Sequence, residues 1–307
     1  MTGPIVIVGV PTALGGHLAG MELSPRGLRD LRLVERMRAR PALGDVEIVD
    51  AGDLDIDPGF VPVDDPRAKN RDRVAEFLPR ERDLVARSLG SAGSGARLMV
   101  LGGDCTAHAG ALAGLRAARP SDRFAIAWFD AHGDFNTPDT TPSGNVWGMP
   151  FAMLCGRGDP QLVAACDGPT VLERHAALLG GQVLDETESR MLATSGVAQF
   201  GSGMLATEAG LAALAGWASV VAREVDAIHV AVDMDCLDSG GGWALTTPEP
   251  EGLSLDTAVA AIRILGEVIP VAGFGPTGIT LANGDAERTA EAVAILAEAA
   301  FGPRSRP

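Results

Sequence analysis

The chain predicts an α/β fold, a parallel sheet with helices on both faces. Two observations carry the prediction. Apolar runs of strand length alternate with helical segments from end to end, the pattern of linked strand–helix–strand units. The runs themselves, such as Phe-Ala-Ile-Ala-Trp-Phe at 124–129, are apolar at nearly every position rather than at alternate ones, as strands covered on both faces are. No clean boundary divides the sequence, so residues 1–307 are expected to form one domain.

Residues 5–10 (Ile-Val-Ile-Val-Gly-Val) read as the first strand, followed by a Gly-rich loop to residue 20 that holds His17. Ser24-Pro25 opens a helix, the serine as cap and the proline in the first turn, where its missing N–H is not needed. Residues 46–49 read as a short second strand, 51–70 as an Asp- and Pro-rich surface loop, and 71–89 as a helix. The third strand, 97–101, ends in Gly102-Gly103-Asp104-Cys105, and 106–116 is Ala/Leu-rich and helical. After the 124–129 strand, residues 161–180 read as helix, 196–200 as strand and 206–225 as helix. Residues 227–232 form a strand that runs into Asp233-Met234-Asp235. Residues 253–265 read as helix, 268–274 as the last strand, and 285–301 as an amphipathic helix with Val293, Leu296 and Ala300 on one face.

With 46% hydrophobic residues in 307 positions, the chain can bury one large core. Its formal net charge of −15 makes it a poor partner for nucleic acid or an anionic membrane. Four cysteines without paired spacing are no disulfide framework and suit a reducing cytoplasm. The start has no basic segment, so no signal peptide is expected, and no apolar run approaches the roughly 20 residues of a membrane helix.

Three predicted strands end in groups that bind cations, on the side of a parallel sheet where ligands bind. These are Cys105, the segment Asp130-Ala131-His132-Gly133-Asp134, and the pair Asp233 and Asp235. In extended chain, residues two apart face the same way, so Asp130, His132 and Asp134 can converge, as can Asp233 and Asp235. Acids at the mouth of apolar strands are costly unless something compensates them. Carboxylates with one imidazole suit Mn, Mg, Fe(II) or Zn. Four carboxylates balance two dications, and two such ions about 3.5–4 Å apart can share a hydroxide at neutral pH. The competing reading, loop acids that cap helices, suits a lone Asp-x-Asp better than both motifs together. By spacing alone Cys105 reads as a buried free cysteine, Asp104 as a cap, His229 as packed beside the site, and His108 and His175 as structural.

Gly-Gly-Asp-Cys (102–105), Asp-Ala-His-Gly-Asp-Phe-Asn-Thr-Pro (130–138), Ser-Gly-Asn-Val-Trp-Gly-Met-Pro (143–150) and Asp-Met-Asp-Cys-Leu-Asp (233–238) resemble the signature blocks of the ureohydrolase (arginase/agmatinase) superfamily. The resemblance extends to 8–16, 24–29 and the closing helix, nearly the whole chain. It implies a three-layer α/β/α sandwich with a mostly parallel eight-stranded sheet, a homotrimer or homohexamer, and two Mn2+ ions bridged by hydroxide. Asp130 and Asp233 would bridge the metals, His132 and Asp235 would complete one site, and Asp134 and Cys105 the other. Asp134, which would relay a proton, and His132 are the implied catalytic residues. Asn136, Thr141, Ser143 and Asn145 match the arginase residues that hold the α-carboxylate of an amino acid substrate.

Four departures from that pattern shape the expected function. Cys105 stands where a histidine is expected; a thiolate adds a fifth anionic ligand and makes Zn2+ or Fe2+ alternatives to Mn2+. Trp147, in the substrate site, replaces a histidine that serves in proton transfer. The 201–208 loop lacks the arginase aspartate for the α-amino group, leaving Glu208 as candidate. The 272–280 strand has no acid where arginase places the glutamate that pairs with the guanidinium. An unpaired buried charge typically costs about 3–5 kcal/mol, which favours a less basic head. Expected, therefore, is metal-dependent hydrolysis of a linear C–N bond in a guanidino amino acid, arginine or N-hydroxy-arginine, with release of urea. The Cys-for-His change resembles hydroxyarginine amidinohydrolases. The alternatives are a hydrolase of another amidine, such as a formimidoyl amino acid, and a catalytically silent protein of this fold.

Overall fold

The computed structural model describes residues 3–57 and 65–304. Eight strands form one sheet: β1 (Ile5–Val10), β2 (Ile48–Asp53), β3 (Arg97–Gly102), β4 (Phe124–Asp130), β5 (Ala176–Gly180), β6 (Ala198–Gly201), β7 (Ala227–Asp233) and β8 (Val271–Thr277). Their order is β2-β1-β3-β8-β7-β4-β5-β6, and every pairing is parallel. Strands β1, β3, β4, β5, β7 and β8 are buried at every position, which is why they read as unbroken apolar runs.

The two faces of the sheet are covered by different helices. Ile5, Ile7, Met99 and Phe129 pack with α1 (Ser24–Asp30), α2 (Leu33–Ala39), α9 (Glu208–Val221), α10 (Leu255–Val268) and α11 (Ala286–Phe301). Val6, Val8, Val100 and Trp128 pack on the other side with α3 (Arg71–Ala92), α4 (Ala107–Ala118), α5 (Pro150–Leu154) and α6 (Pro160–Ala165), while α7 (Glu186–Thr194) adds Leu192. The short α8 (Ser202–Leu205) leads into α9. Fully burying each large side chain contributes about 1.5–3 kcal/mol, and neighbours along a strand feed opposite cores.

The expected α/β/α sandwich is found, with corrections to its elements. Residues 161–180 are not one helix. Helix α6 stops at Ala165, and Ala176–Gly180 is strand β5, paired with β4 and β6. The Ala-Ala-Leu-Leu-Gly composition favours a helix locally, but hydrogen bonding between two strands outweighs that preference. The second strand begins at Ile48 rather than 46 and runs into the predicted loop; residues 58–64 of that loop lie outside the described residues. The last strand begins at Val271, because α10 continues to Val268.

Candidate metal centre

The sheet register assembles the predicted ligands. Strands β4 and β7 pair from Phe124↔Ala227 to Phe129↔Val232, so Asp130 and Asp233, each the next residue, end side by side. Asp233 in turn pairs with Thr277 of β8, and Cys105 follows the end of β3 on the far side of β8. Cys105 Sγ donates to Asp233 Oδ2 at 2.7 Å and lies 3.4 Å from Thr277 Oγ1. Two sets of donor atoms result, each with all atoms within 4.8 Å of one another: Cys105, Asp130 and Asp233, and Asp130, His132 and Asp235. Asp130 belongs to both, as a bridging ligand would. Asp233 falls in one set. Asp134 falls in neither, though it lines the same cavity.

The side chains around these sets orient them. Trp128 Nε1 donates to Asp130 Oδ2 at 3.0 Å and the His132 amide to Asp130 Oδ1 at 2.7 Å. Asp235 Oδ1 accepts from the Ala131 amide at 3.1 Å and its Oδ2 from Thr247 at 2.7 Å. His132 Nδ1 lies 3.3 Å from both Asp130 Oδ1 and Asp235 Oδ2, while Nε2 faces Glu249 Oε1 at 3.6 Å. A carboxylate on the far nitrogen turns the other toward a metal. Gly278 holds φ +70°, and a Cβ there would lie 2.1 Å from Asp233 Oδ1; only glycine lets the loop pass over the carboxylate.

Burial raises the carboxyls of Asp130, Asp134 and Asp233 above their usual range, and each acid's neighbours push further. Burial, then Asp233, Asp134 and Asp130, do the same to the Cys105 thiol. Asp235 goes the other way: burial opposes its charge, but hydrogen bonds from His132, Thr247 and the Ala131 amide outweigh it. Burial likewise opposes a charged His132, and Asp130 and Asp235 reverse that, raising it. Asp134 Oδ2 is buried with no hydrogen-bond partner among the described residues. Crowded acids whose charge is opposed by burial, with an orphaned carboxylate oxygen among them, fit divalent cations as the missing partners.

His108 and His229 continue a chain of contacts from Thr277, which touches the sulfur. His108 Nε2 lies 3.3 Å from Thr277 Oγ1, and its Nδ1 lies 3.2 Å from His229 Nε2. Burial holds both rings neutral, His108 well below its usual value and His229 down to about 3. His175 stays remote, 2.9 Å from Glu224.

The ligand sets open into a cavity of about 250 Å³. Asn136, Thr141, Ser143, Asn145 and Trp147 line it, all as expected of a substrate site, together with His17, Asp185, Glu188 and Thr246. Glu208 is not brought there: it sits exposed in the first turn of α9. The acids that do reach the wall are Asp185 and Glu188, which no motif marks because the strand before them, β5, reads as helix by composition. Asn136 Nδ2 donates to Asp185 Oδ2 and Glu188 Oε1, both at 3.1 Å, and the Phe135 amide donates to Glu188 Oε1 at 2.9 Å. Burial lifts Glu188 to about 7. A strand followed by Asp-Glu-Thr-Glu (185–188) was the available signal.

The model of the Arginase family matches residues 3–302. An arginase from Bacillus caldovelox is 28% identical over 98% of this chain and 99% of that protein; one from Bacillus subtilis is 27% identical over 86% of each. The solved structure of the Bacillus caldovelox arginase aligns with a TM-score of 0.87, covering 98% of this chain and 99% of that one. A formimidoylglutamase from Bacillus subtilis, 20% identical, aligns with a TM-score of 0.75 over 97% of this chain and 86% of that one, a likeness of fold.

Proposed function

The chain belongs to the arginase family, and from that premise we propose that it is a metal-dependent amidinohydrolase acting on a guanidino amino acid, arginine or its N-hydroxy derivative, with urea as product. The observation that carries the reading is a pair of buried donor sets sharing Asp130, opening onto a cavity rimmed by Asn136, Thr141, Ser143 and Asn145. Cys105, Asp130, His132, Asp134, Asp233 and Asp235 would hold two divalent ions, Mn2+ by family habit, with Zn2+ or Fe2+ favoured by the sulfur. Bound there, such ions supply a water activated at neutral pH and positive charge for the transition state.

The protein's own groups supply the rest. The hydroxyl and amide groups of Asn136, Thr141, Ser143 and Asn145 suit a carboxylate head. Asp185 and Glu188 face an ammonium on the same substrate. Asp134 Oδ2 is the atom with spare capacity to take a proton from the attacking water and pass it to the leaving nitrogen, and Glu249 keeps His132 Nδ1 turned inward. Strand β8 ends at Thr277 and residues 272–280 contain no acid, so no charge there answers a guanidinium. That favours the less basic hydroxyguanidine, and it keeps a formimidoyl amino acid as a second reading.

Purified protein stripped with chelator and reloaded with Mn2+, then assayed for urea from arginine, N-hydroxy-arginine and agmatine, tests the proposal. Metal-dependent urea is expected from an amino acid substrate. Ammonia or formamide without urea selects the second reading, and no product from any amidine removes both.

A further inference from the structure

On the reading of Cys105 as a metal ligand, we infer that His229, His108 and Thr277 form a one-way hydrogen-bond line ending on its sulfur, and that these positioning residues aim the sulfur and temper its charge. The proposed ligands leave a surplus to be tempered. Four carboxylates and a sulfur without its proton carry five negative charges, one more than two dications cancel. Among the described residues, no lysine or arginine lines the cavity that holds the ligand sets. The offset therefore falls to oriented dipoles.

The direction of the line follows from where the protons can sit. The Cys105 thiol donates its one proton to Asp233 Oδ2 at 2.7 Å, so toward Thr277 Oγ1, 3.4 Å away, the sulfur can only accept. Val232 O competes for the Thr277 hydroxyl, also at 3.4 Å. That is long for a hydrogen bond between two oxygens, about 2.5–3.0 Å, but suits the larger sulfur. With its proton on the sulfur, Thr277 Oγ1 accepts from His108 Nε2 at 3.3 Å. Burial holds both rings neutral, so each carries one proton. His108 Nδ1 is therefore bare and accepts from His229 Nε2 at 3.2 Å. His229 Nδ1 is bare in turn, and it is the nitrogen of the pair with no partner among the described residues. A buried acceptor left alone is tolerated better than a buried N–H left alone. The opposite direction would strand an N–H at that atom.

The fold makes room for both rings. His229 pairs with Gly273, Ala231 with Gly275 and Asp233 with Thr277, two rows on one face of β7 and β8. A Cβ on Gly273 would lie 2.5 Å from His229 Nδ1, and one on Gly275 would lie 3.2 Å from His108 Cε1 and 2.2 Å from Val100 Cγ1. His108, in the first turn of α4, also sets its ring edge-on to Trp128 at 5.2 Å, and the Trp128 indole N–H holds Asp130. One ring thus braces the carboxylate common to both donor sets and, through Thr277, the sulfur. Partners of this kind, one bond removed from the ion, fix ligand orientation and tune affinity.

Two measurements on the full-length protein test the line. In protein stripped with chelator, imidazole 15N spectra should show His108 and His229 both protonated on Nε2. Co2+ added to the same protein should give a sulfur-to-metal absorption band. Thr277→Val keeps the outline of the side chain and removes the hydroxyl. It should move the band to longer wavelength and raise the Kd for Co2+ about tenfold, while Thr277→Ser should keep both near the parent's. His108→Leu should move the band the same way by less. His108 protonated on Nδ1, or a Thr277→Val band and affinity equal to the parent's, would overturn the line. A parent protein with no sulfur band would overturn it too and would remove Cys105 from the ligand set. A band that shifts as expected, in a protein that releases no urea, would defeat the hydrolase reading alone and uphold the line.

Discussion

In the proposed centre, Cys105 is the residue on which the choice of metal would turn. Its sulfur touches Asp233 at 2.7 Å and belongs to one of the two donor sets. Restoring a histidine, Cys105→His, should increase Mn2+ retained after gel filtration, read by elemental analysis, and raise any urea formation from arginine. Unchanged metal content would mean that the sulfur only packs. Gly278 sets a second test at this scale. Gly278→Ala would drive a methyl into Asp233 and force alanine into the left-handed region, about 1–2 kcal/mol before the clash is counted. Retained metal should fall to background, and thermal stability should drop in chelator as well, since the strain needs no ion. Individual ligands were legible in the sequence because each follows an apolar strand at a spacing of two. Asp185 and Glu188 were not, because nothing local marks a cavity wall once the preceding strand is misread.

Helices α3 and α4 enclose an ionisable group with no evident chemistry. Glu81 is fully buried where α3 crosses Gly110 of α4, and its carboxyl oxygens have no well-formed hydrogen-bond partner among the described residues. Burial, then the charge of Asp104, raise its carboxyl well above the usual value, and the Ala111 amide offsets little of that. An acid held neutral in the fold but free to ionise when unfolded contributes most below its unfolded value, near 4.5. That contribution is lost as pH rises through the folded value. Glu81→Leu should therefore stabilise the protein by about 1–3 kcal/mol, with a gap in Tm over the parent that is wider at pH 8 than at pH 5. A gap that narrows with rising pH would contradict a neutral Glu81. The elements themselves were readable where burial is two-sided, as in β1, β3, β4 and β7. Strand β5 was lost because alanine and leucine carry helical preference, and its pairing partners lie about fifty residues back and twenty ahead, outside any local window.

For the whole molecule, the crowding of buried acids should make stability depend on metal. Ions that bind the folded chain alone add about 2.7 kcal/mol at a hundredfold excess over Kd for each site. Because burial raises the carboxyls of Asp130, Asp134 and Asp233, protons compete with ions for them, and the rise in Tm on adding Mn2+ should be several degrees at pH 8 and much smaller at pH 5.5. A shift independent of pH would place the ions elsewhere. The sheet order has one more consequence. Strands β7 and β8, the last two made, lie between β3 and β4. While the ribosome is still producing residue 226, the half-site that holds Cys105 and the half-site that holds Asp130 have no bridge between them. The newborn polypeptide must keep that gap open until its final quarter arrives, and capture of the proposed ions would be deferred to the close of synthesis.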